Sequence, residues 1–220
     1  MKFYRLSIDE GKRKKYACAF PAFGYPTEEI SCNICGRKWN SFKNVYEQHL
    51  SYPIVFTNDN FTDFVSCEFD CMVSHEVKVW FEEMNIKNAR FVEMPVVSKS
   101  EMDSAYIKQL RDKGYTTNNL HDYKPRYYRL GSYIGANLHV DAKIVWVNSG
   151  DNVCSHCGYG VGYQPLEYFV PDCVSLDSWD GSDLFKVQEY MGALFCSDKL
   201  KQLIEEKGFK GISFKEVQVK

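Results

Sequence analysis

No stretch of this 220-residue chain approaches the ~20 consecutive apolar residues that a membrane-spanning helix needs. The opening Met1-Lys2-Phe3-Tyr4-Arg5 lacks the apolar core and small-residue cleavage site of an export signal. A cytoplasmic protein with no membrane partner is therefore expected. Strong charge of either sign is missing too. With 27 basic and 29 acidic residues the net charge is -2, and the pI is about 6.2, so the basic footprint of a nucleic-acid binder is absent. The one basic run, Lys12-Arg13-Lys14-Lys15, reads as a solvated hairpin turn. There is no Gly-x-Ser-x-Gly, phosphate loop, His-Glu-x-x-His or Gly-x-Gly-x-x-Gly motif. His49, His121 and His139 stand at no catalytic spacing from a carboxylate or cysteine. The expectation is a protein that is not an enzyme.

Hydrophobic residues, at 45% with 15% aromatics, suffice for a substantial core. The nine cysteines are an odd number, and in a reducing compartment they are expected as thiols or metal ligands rather than disulfides. The chain also resembles itself. Phe3-Tyr4-Arg5-Leu6 recurs as Tyr127-Tyr128-Arg129-Leu130, and Cys32-Asn33-Ile34-Cys35-Gly36 recurs as Cys154-Ser155-His156-Cys157-Gly158. The run Met72 to Val96 recurs as Phe195 to Val219. Three blocks in one order, at offsets of 122 to 124 residues, point to a duplicated unit. The expected organisation is one domain: a first half 1–97, a helical insertion 98–125, and a second half 126–220.

Ser74 and Ser197 sit where helix N-caps belong. Val77, Trp80, Phe81 and Met84 then fall on one helical stripe, matched by Leu200, Leu203 and Ile204. Gly208 is a natural stop, and Arg90–Val97 and Ile212–Val219 alternate as half-buried strands do. In the insertion, Ser98 with Glu101 forms a capping box ahead of Met102, Ala105, Tyr106 and Leu110, and Gly114 ends the helix. The fold class is α+β, built of two pseudo-repeated halves.

Each Cys-x-x-Cys-Gly knuckle supplies two thiolates from a tight turn, and its glycine tolerates positive φ. One knuckle is incomplete, but two give the four sulfurs of a closed tetrahedral zinc site. The expected metal ligands are Cys32, Cys35, Cys154 and Cys157, in a zinc-ribbon-like site that clasps the halves, so that metal removal or Cys32→Ser loosens their contact. Zinc is expected rather than iron; a coloured protein would reverse that. Redox dithiols would need the pair at a helix start, whereas strand and turn flank it here. Cys67-x-x-x-Cys71 with His75 on a helical turn would make a second site, and buried thiols are the preferred reading. The cluster Asp177, Asp180 and Asp183 lacks the twelve-position calcium-loop pattern and reads as an exposed acidic loop.

These motifs resemble the double-CXXCG family: the two knuckles, the opening Phe3-Tyr4-Arg5-Leu6 and the closing Leu194-Phe195-Cys196-Ser197 through Lys207-Gly208-Phe209-Lys210-Gly211. The likeness covers nearly the whole chain at motif level. The first half departs from it, with Ile86-Lys87-Asn88 where the second has glycines. The family is regarded as immunity proteins of bacterial competition, each binding and neutralising a cognate protein toxin. The resemblance implies a binding scaffold stiffened by zinc, with specificity on exposed surface; Asp177, Asp180 and Asp183 are the candidate partner-binding residues. A zinc-ribbon-like structural or nucleic-acid-associated regulatory protein is the alternative.

Overall fold

A computed structural model describes residues 1–8, 16–22, 27–36, 38–42, 51–67, 70–112, 125–136, 143–144, 169–170, 173–187 and 190–220. The described strands begin with β1 (Phe3–Ile8), β2 (Ala19–Pro21), β3 (Thr27–Ser31), β4 (Lys38–Phe42) and β5 (Ile54–Phe56). Then come β6 (Phe64–Cys67), β7 (Asp70–Ser74), helix α1 (His75–Glu83), β8 (Ala89–Met94) and helix α2 (Ser104–Asp112). The remainder comprises β9 (Tyr127–Ser132), β10 (Ile134–Ala136), β11 (Lys143–Ile144), β12 (Phe169–Val170), β13 (Cys173–Val174), β14 (Leu184–Val187), β15 (Tyr190–Ser197), helix α3 (Asp198–Lys207) and β16 (Ile212–Val219). The architecture is α+β. One six-stranded mixed sheet runs β5-β2-β6-β7-β9-β8 and the other β10-β14-β15-β1-β16-β13, with two separate two-stranded sheets, the β3–β4 hairpin and the pair β11–β12.

Both sheets bury apolar side chains on both faces. In β7, Val73 faces a central cluster with Phe64, Phe81, Tyr128, Leu184 and Leu200, while Met72 faces a second cluster with Ile54, Phe56, Met94 and Tyr127. In β15, Cys196 faces the central cluster and Phe195 a third, with Phe3, Phe185 and Val217. The central cluster therefore joins both sheets, and α1 and α3 close it with Val77, Phe81, Leu200 and Ile204.

The same local devices occur around both helices. Ser74 Oγ accepts the Val77 N–H at 3.3 Å, and Ser197 Oγ accepts the Leu200 N–H at 3.2 Å, capping α1 and α3 as their sequence requires. Past α3, Gly208 (φ 77°) and Gly211 (φ 91°) are left-handed; past α1, Asn85 (φ 50°) and Asn88 (φ 72°) take that conformation, which asparagine tolerates better than other side chains. The glycines missing from the first half are thus replaced by the next-best residue for the same backbone. Each turn contacts the opposite sheet: the Phe64 N–H donates to Lys210 O at 3.0 Å, and the Leu184 N–H to Lys87 O at 3.3 Å.

Some local expectations shift. The Ser98–Glu101 pair caps a short 3-10 turn, Lys99–Glu101, through the Ser98 N–H to Glu101 Oε2 at 2.6 Å. Helix α2 starts later, where Asp103 Oδ1 accepts the Ala105 N–H at 2.9 Å. Its stripe is Tyr106, Ile107 and Leu110, packed with Met102 on Phe20 and Val55, while Ala105 is exposed. Met84 ends α1 as an exposed residue instead of extending the stripe. Cys67 and Cys71 lie on a β-hairpin, not a helical turn. They point into different cores, Cys67 among Ile54 and Met72 and Cys71 against the central cluster, so they do not converge on one ion.

Candidate metal centre and acidic loop

β3 and β4 pair over five positions, from Thr27↔Phe42 to Ser31↔Lys38, and the first Cys-x-x-Cys-Gly motif forms the tip between them. Cys32 is buried while Asn33, Ile34, Cys35 and Gly36 are exposed. The turn closes through the Gly36 N–H to Cys32 O at 2.9 Å. Gly36 has φ 71°, which a side chain would strain. The Cys35 N–H donates to Cys32 Sγ at 3.5 Å. Hydrogen-bond donors on a ligating group are the outer-shell contacts that orient it in metal sites. This turn fits a metal-bound thiolate pair: the first sulfur sits inside with a donor on it, the second is open to complete a site, and the glycine permits the bend. Four of the five residues at this tip are exposed, and an isolated two-stranded hairpin is at best marginal in water.

The other two expected ligands, Cys154 and Cys157, lie outside the described residues. The strands that bracket them in sequence are described: β11 and β12 pair antiparallel, Lys143↔Val170 and Ile144↔Phe169. Among the described residues no group of three His, Cys, Asp or Glu side chains gathers as a metal site. The basic run Lys12–Lys15, His49, His121, His139 and Gly114 also lie outside them.

The acidic segment splits in two. Asp177 and Asp180 are exposed, though Asp180 Oδ1 accepts the Ser182 N–H at 2.9 Å. Asp183 is buried at 7% exposure. Its carboxylate accepts the Lys87 N–H at 3.4 Å and the Ser197 hydroxyl at 3.4 Å, and pairs with Lys199 at 3.5 Å. It serves the junction of the two sheets, a role its place in an acidic run does not disclose. Beside it opens a cleft of about 580 Å³ lined by Lys2, Lys87, Trp179, Asp183 and Lys199 among others.

Sequence reading also missed a buried ion pair. Arg129, 5% exposed, lies 3.7 Å from Asp70, whose other partner is the Tyr52 hydroxyl at 2.6 Å. Lys186 stands near both, and burial depresses its ammonium pKa. Asp70 has no signal in sequence beyond a carboxylate within an otherwise apolar strand.

Comparison with protein-family models and with curated proteins finds no match to this chain.

Proposed function

We propose that this chain is an immunity protein of the double-CXXCG kind, binding a cognate protein toxin in the cytoplasm and performing no chemistry itself. In this reading two duplicated halves present a rigid surface, and one zinc ion on Cys32, Cys35, Cys154 and Cys157 holds the knuckles. The observation that carries it is the first knuckle: a Cys-x-x-Cys-Gly tip with a left-handed glycine and an N–H on Cys32 Sγ, the motif on which the family resemblance rests. Duplication draws support from the shared cap, turn and junction geometry of the two halves. A four-sulfur site leaves no open position for activating water, so the metal's role is structural. Asp177 and Asp180 are the exposed acidic residues offered to a partner; Asp183 is committed internally.

The test is co-expression with the product of the adjacent gene in the native organism. Rescue of growth, with a stable complex of the two proteins, is the expected result. Rescue should survive Asp183→Asn if the fold does, and weaken on Asp177→Lys with Asp180→Lys. No rescue, with retention on DNA or RNA that falls steeply with salt, would replace this reading with a zinc-ribbon-like regulator. One zinc per chain by elemental analysis is expected in either case.

A further inference from the structure

The opening strand of each half completes the sheet of the other. β1 belongs by sequence to residues 1–97, whose β2, β5, β6, β7 and β8 build the first sheet, yet it lies between β15 and β16 of the second. β9 opens residues 126–220, yet it lies between β7 and β8 of the first. The registers agree. Phe3 opposes Ser197 and Val217, and Tyr4 opposes Cys196 and Glu216. Tyr127 opposes Ser74 and Met94, and Tyr128 opposes Val73 and Glu93.

The slots are also chemically alike. The Lys201 ammonium lies 5.1 Å from the Tyr4 ring centroid, and that of Lys78 lies 5.4 Å from the Tyr128 ring centroid. Glu216 takes Lys2 at 3.1 Å, as Glu93 takes Arg126 at 3.2 Å. Phe3 is fully buried against Phe185 and Trp179, with ring centroids 5.2 and 4.9 Å away. A strand held by backbone ladders on both sides, with aromatic pockets on both faces, is bound as peptides are in β-augmentation.

We infer that the space between β15 and β16 is a strand-binding slot that recognises the basic–aromatic–Tyr–Arg–Leu pattern, filled in the intact chain by β1 and open to the same strand from a second copy. The inference rests on the duplication reading but not on the immunity reading. Because β9 carries the same pattern in the opposite sheet, the halves are interlocked by a reciprocal exchange resembling a domain-swapped dimer fused into one chain.

Two measurements on the full chain test this. In the first, Ser7→Cys is combined with Ser213→Cys, its cross-strand partner in the second sheet, or with Arg90→Cys. Arg90 opposes Gly131, the counterpart of Ser7, so it is where Ser7 would pair if β1 stayed in its own half. Under mild oxidation the 7–213 bond is expected, within a monomer, by mass spectrometry; a 7–90 bond overturns the exchange. In the second, a protease site is inserted between Ile8 and Tyr16 and cut in the folded protein. The amino-terminal fragment is expected to remain bound, and a labelled peptide of residues 1–8 to replace it on long incubation. A control peptide with Phe3→Ser and Tyr4→Ser should show at least tenfold less uptake. Equal uptake of the two peptides, or none of either, overturns the slot. Neither readout depends on toxin rescue, so failure of the immunity reading would leave both unchanged.

Discussion

The two-sheet body and the knuckle hairpin are held together by opposite means. In the body, every central strand buries side chains on both faces, and the core clusters run from one sheet into the other. The hairpin pairs only with itself among the described strands and exposes four of the five residues at its tip. An exposed tip on an isolated hairpin gains from another source of order, and structural zinc, as proposed for this tip, supplies roughly 10–16 kcal/mol of coupled folding energy in small metal-dependent peptides. The largest expected effect therefore separates the regions. Cys32→Ser, or zinc removal with a chelator, should strip protection from amide exchange over residues 27–42 while residues 64–94 and 184–219 keep theirs. A clasp on Cys32, Cys35, Cys154 and Cys157 would have the wider effect of loosening the contact between halves when the metal is lost. Among the described residues that contact is made by core packing and interleaved strands, so equal loss of protection in both sheets would mean that the metal orders the junction of the halves as well as the hairpin.

Within the body, the two helix-to-strand turns sharpen the comparison. Gly211 has φ 91°, and a Cβ built on it would lie 2.1 Å from Phe64 O and 2.7 Å from Thr62 Oγ1. Asn88 occupies the corresponding place in the first half with a side chain, its amide donating to Tyr133 O at 3.3 Å. The turns share a backbone conformation but not the closeness of their neighbour. Gly211→Asn should cost about 3 kcal/mol, combining overlap with left-handed strain. Asn88→Gly should change stability by less than about 1 kcal/mol, relief of strain offsetting a lost hydrogen bond. Urea unfolding of the two variants checks this; equal costs would mean the two junctions are interchangeable.

Alkaline pH probes the thiols at the junction. Burial, helped by Asp70, pushes the Cys71 thiol up to about 12. Burial raises Cys196 in the same direction, and burial with Asp198 raises the Tyr4 hydroxyl. A folded pKa above the unfolded one means that the native state holds the proton more tightly. The resulting stability is fully present below the unfolded value, near 9 for the cysteines, and is lost as pH rises toward the folded value. At pH 10.5 the Cys71 contribution alone should be down by about 2 kcal/mol, at 1.36 kcal/mol per unit. Cys71→Ala should start less stable at pH 8 and lose stability less steeply from pH 9 to 11. A parallel slope in variant and parent would mean that Cys71 ionises freely in the folded protein.

What could be read in the chain before folding divides along physical lines. Helices α1 and α3 with their serine caps, and the strands after them, were legible because cap, stripe and alternation are local signals. The first knuckle was legible because two sulfurs and a glycine at fixed spacing define a turn. Asn85 and Asn88 hid the likeness of the two turns, since left-handed backbone can be held by residues other than glycine. The crossing of β1 and β9 was not legible at all: strand partners are chosen by tertiary packing, and the two slots offer nearly identical chemistry. The buried role of Asp183 was concealed by its neighbours Asp177 and Asp180, because composition cannot tell a solvated carboxylate from one that accepts a backbone N–H across a junction.

The smallest expected difference lies between the two capping serines. Each accepts one helix N–H, so each Ser→Ala change should cost about 1 kcal/mol. Ser197 has a second task. It is buried, and its hydroxyl donates to Asp183 Oδ1, whereas Ser74 is half-buried. Removing Ser197 deprives a nearly enclosed carboxylate of one donor and leaves it with the Lys87 N–H and the Lys199 ammonium. Ser197→Ala should therefore cost up to about 1 kcal/mol more than Ser74→Ala, as a lower urea midpoint with unchanged m-value. In the Asp183→Asn background the difference should shrink, since the carboxylate that makes Ser197 special is gone. An undiminished difference would place the excess in the helix cap itself, and the two ends of the body would then differ in helix geometry rather than in junction chemistry.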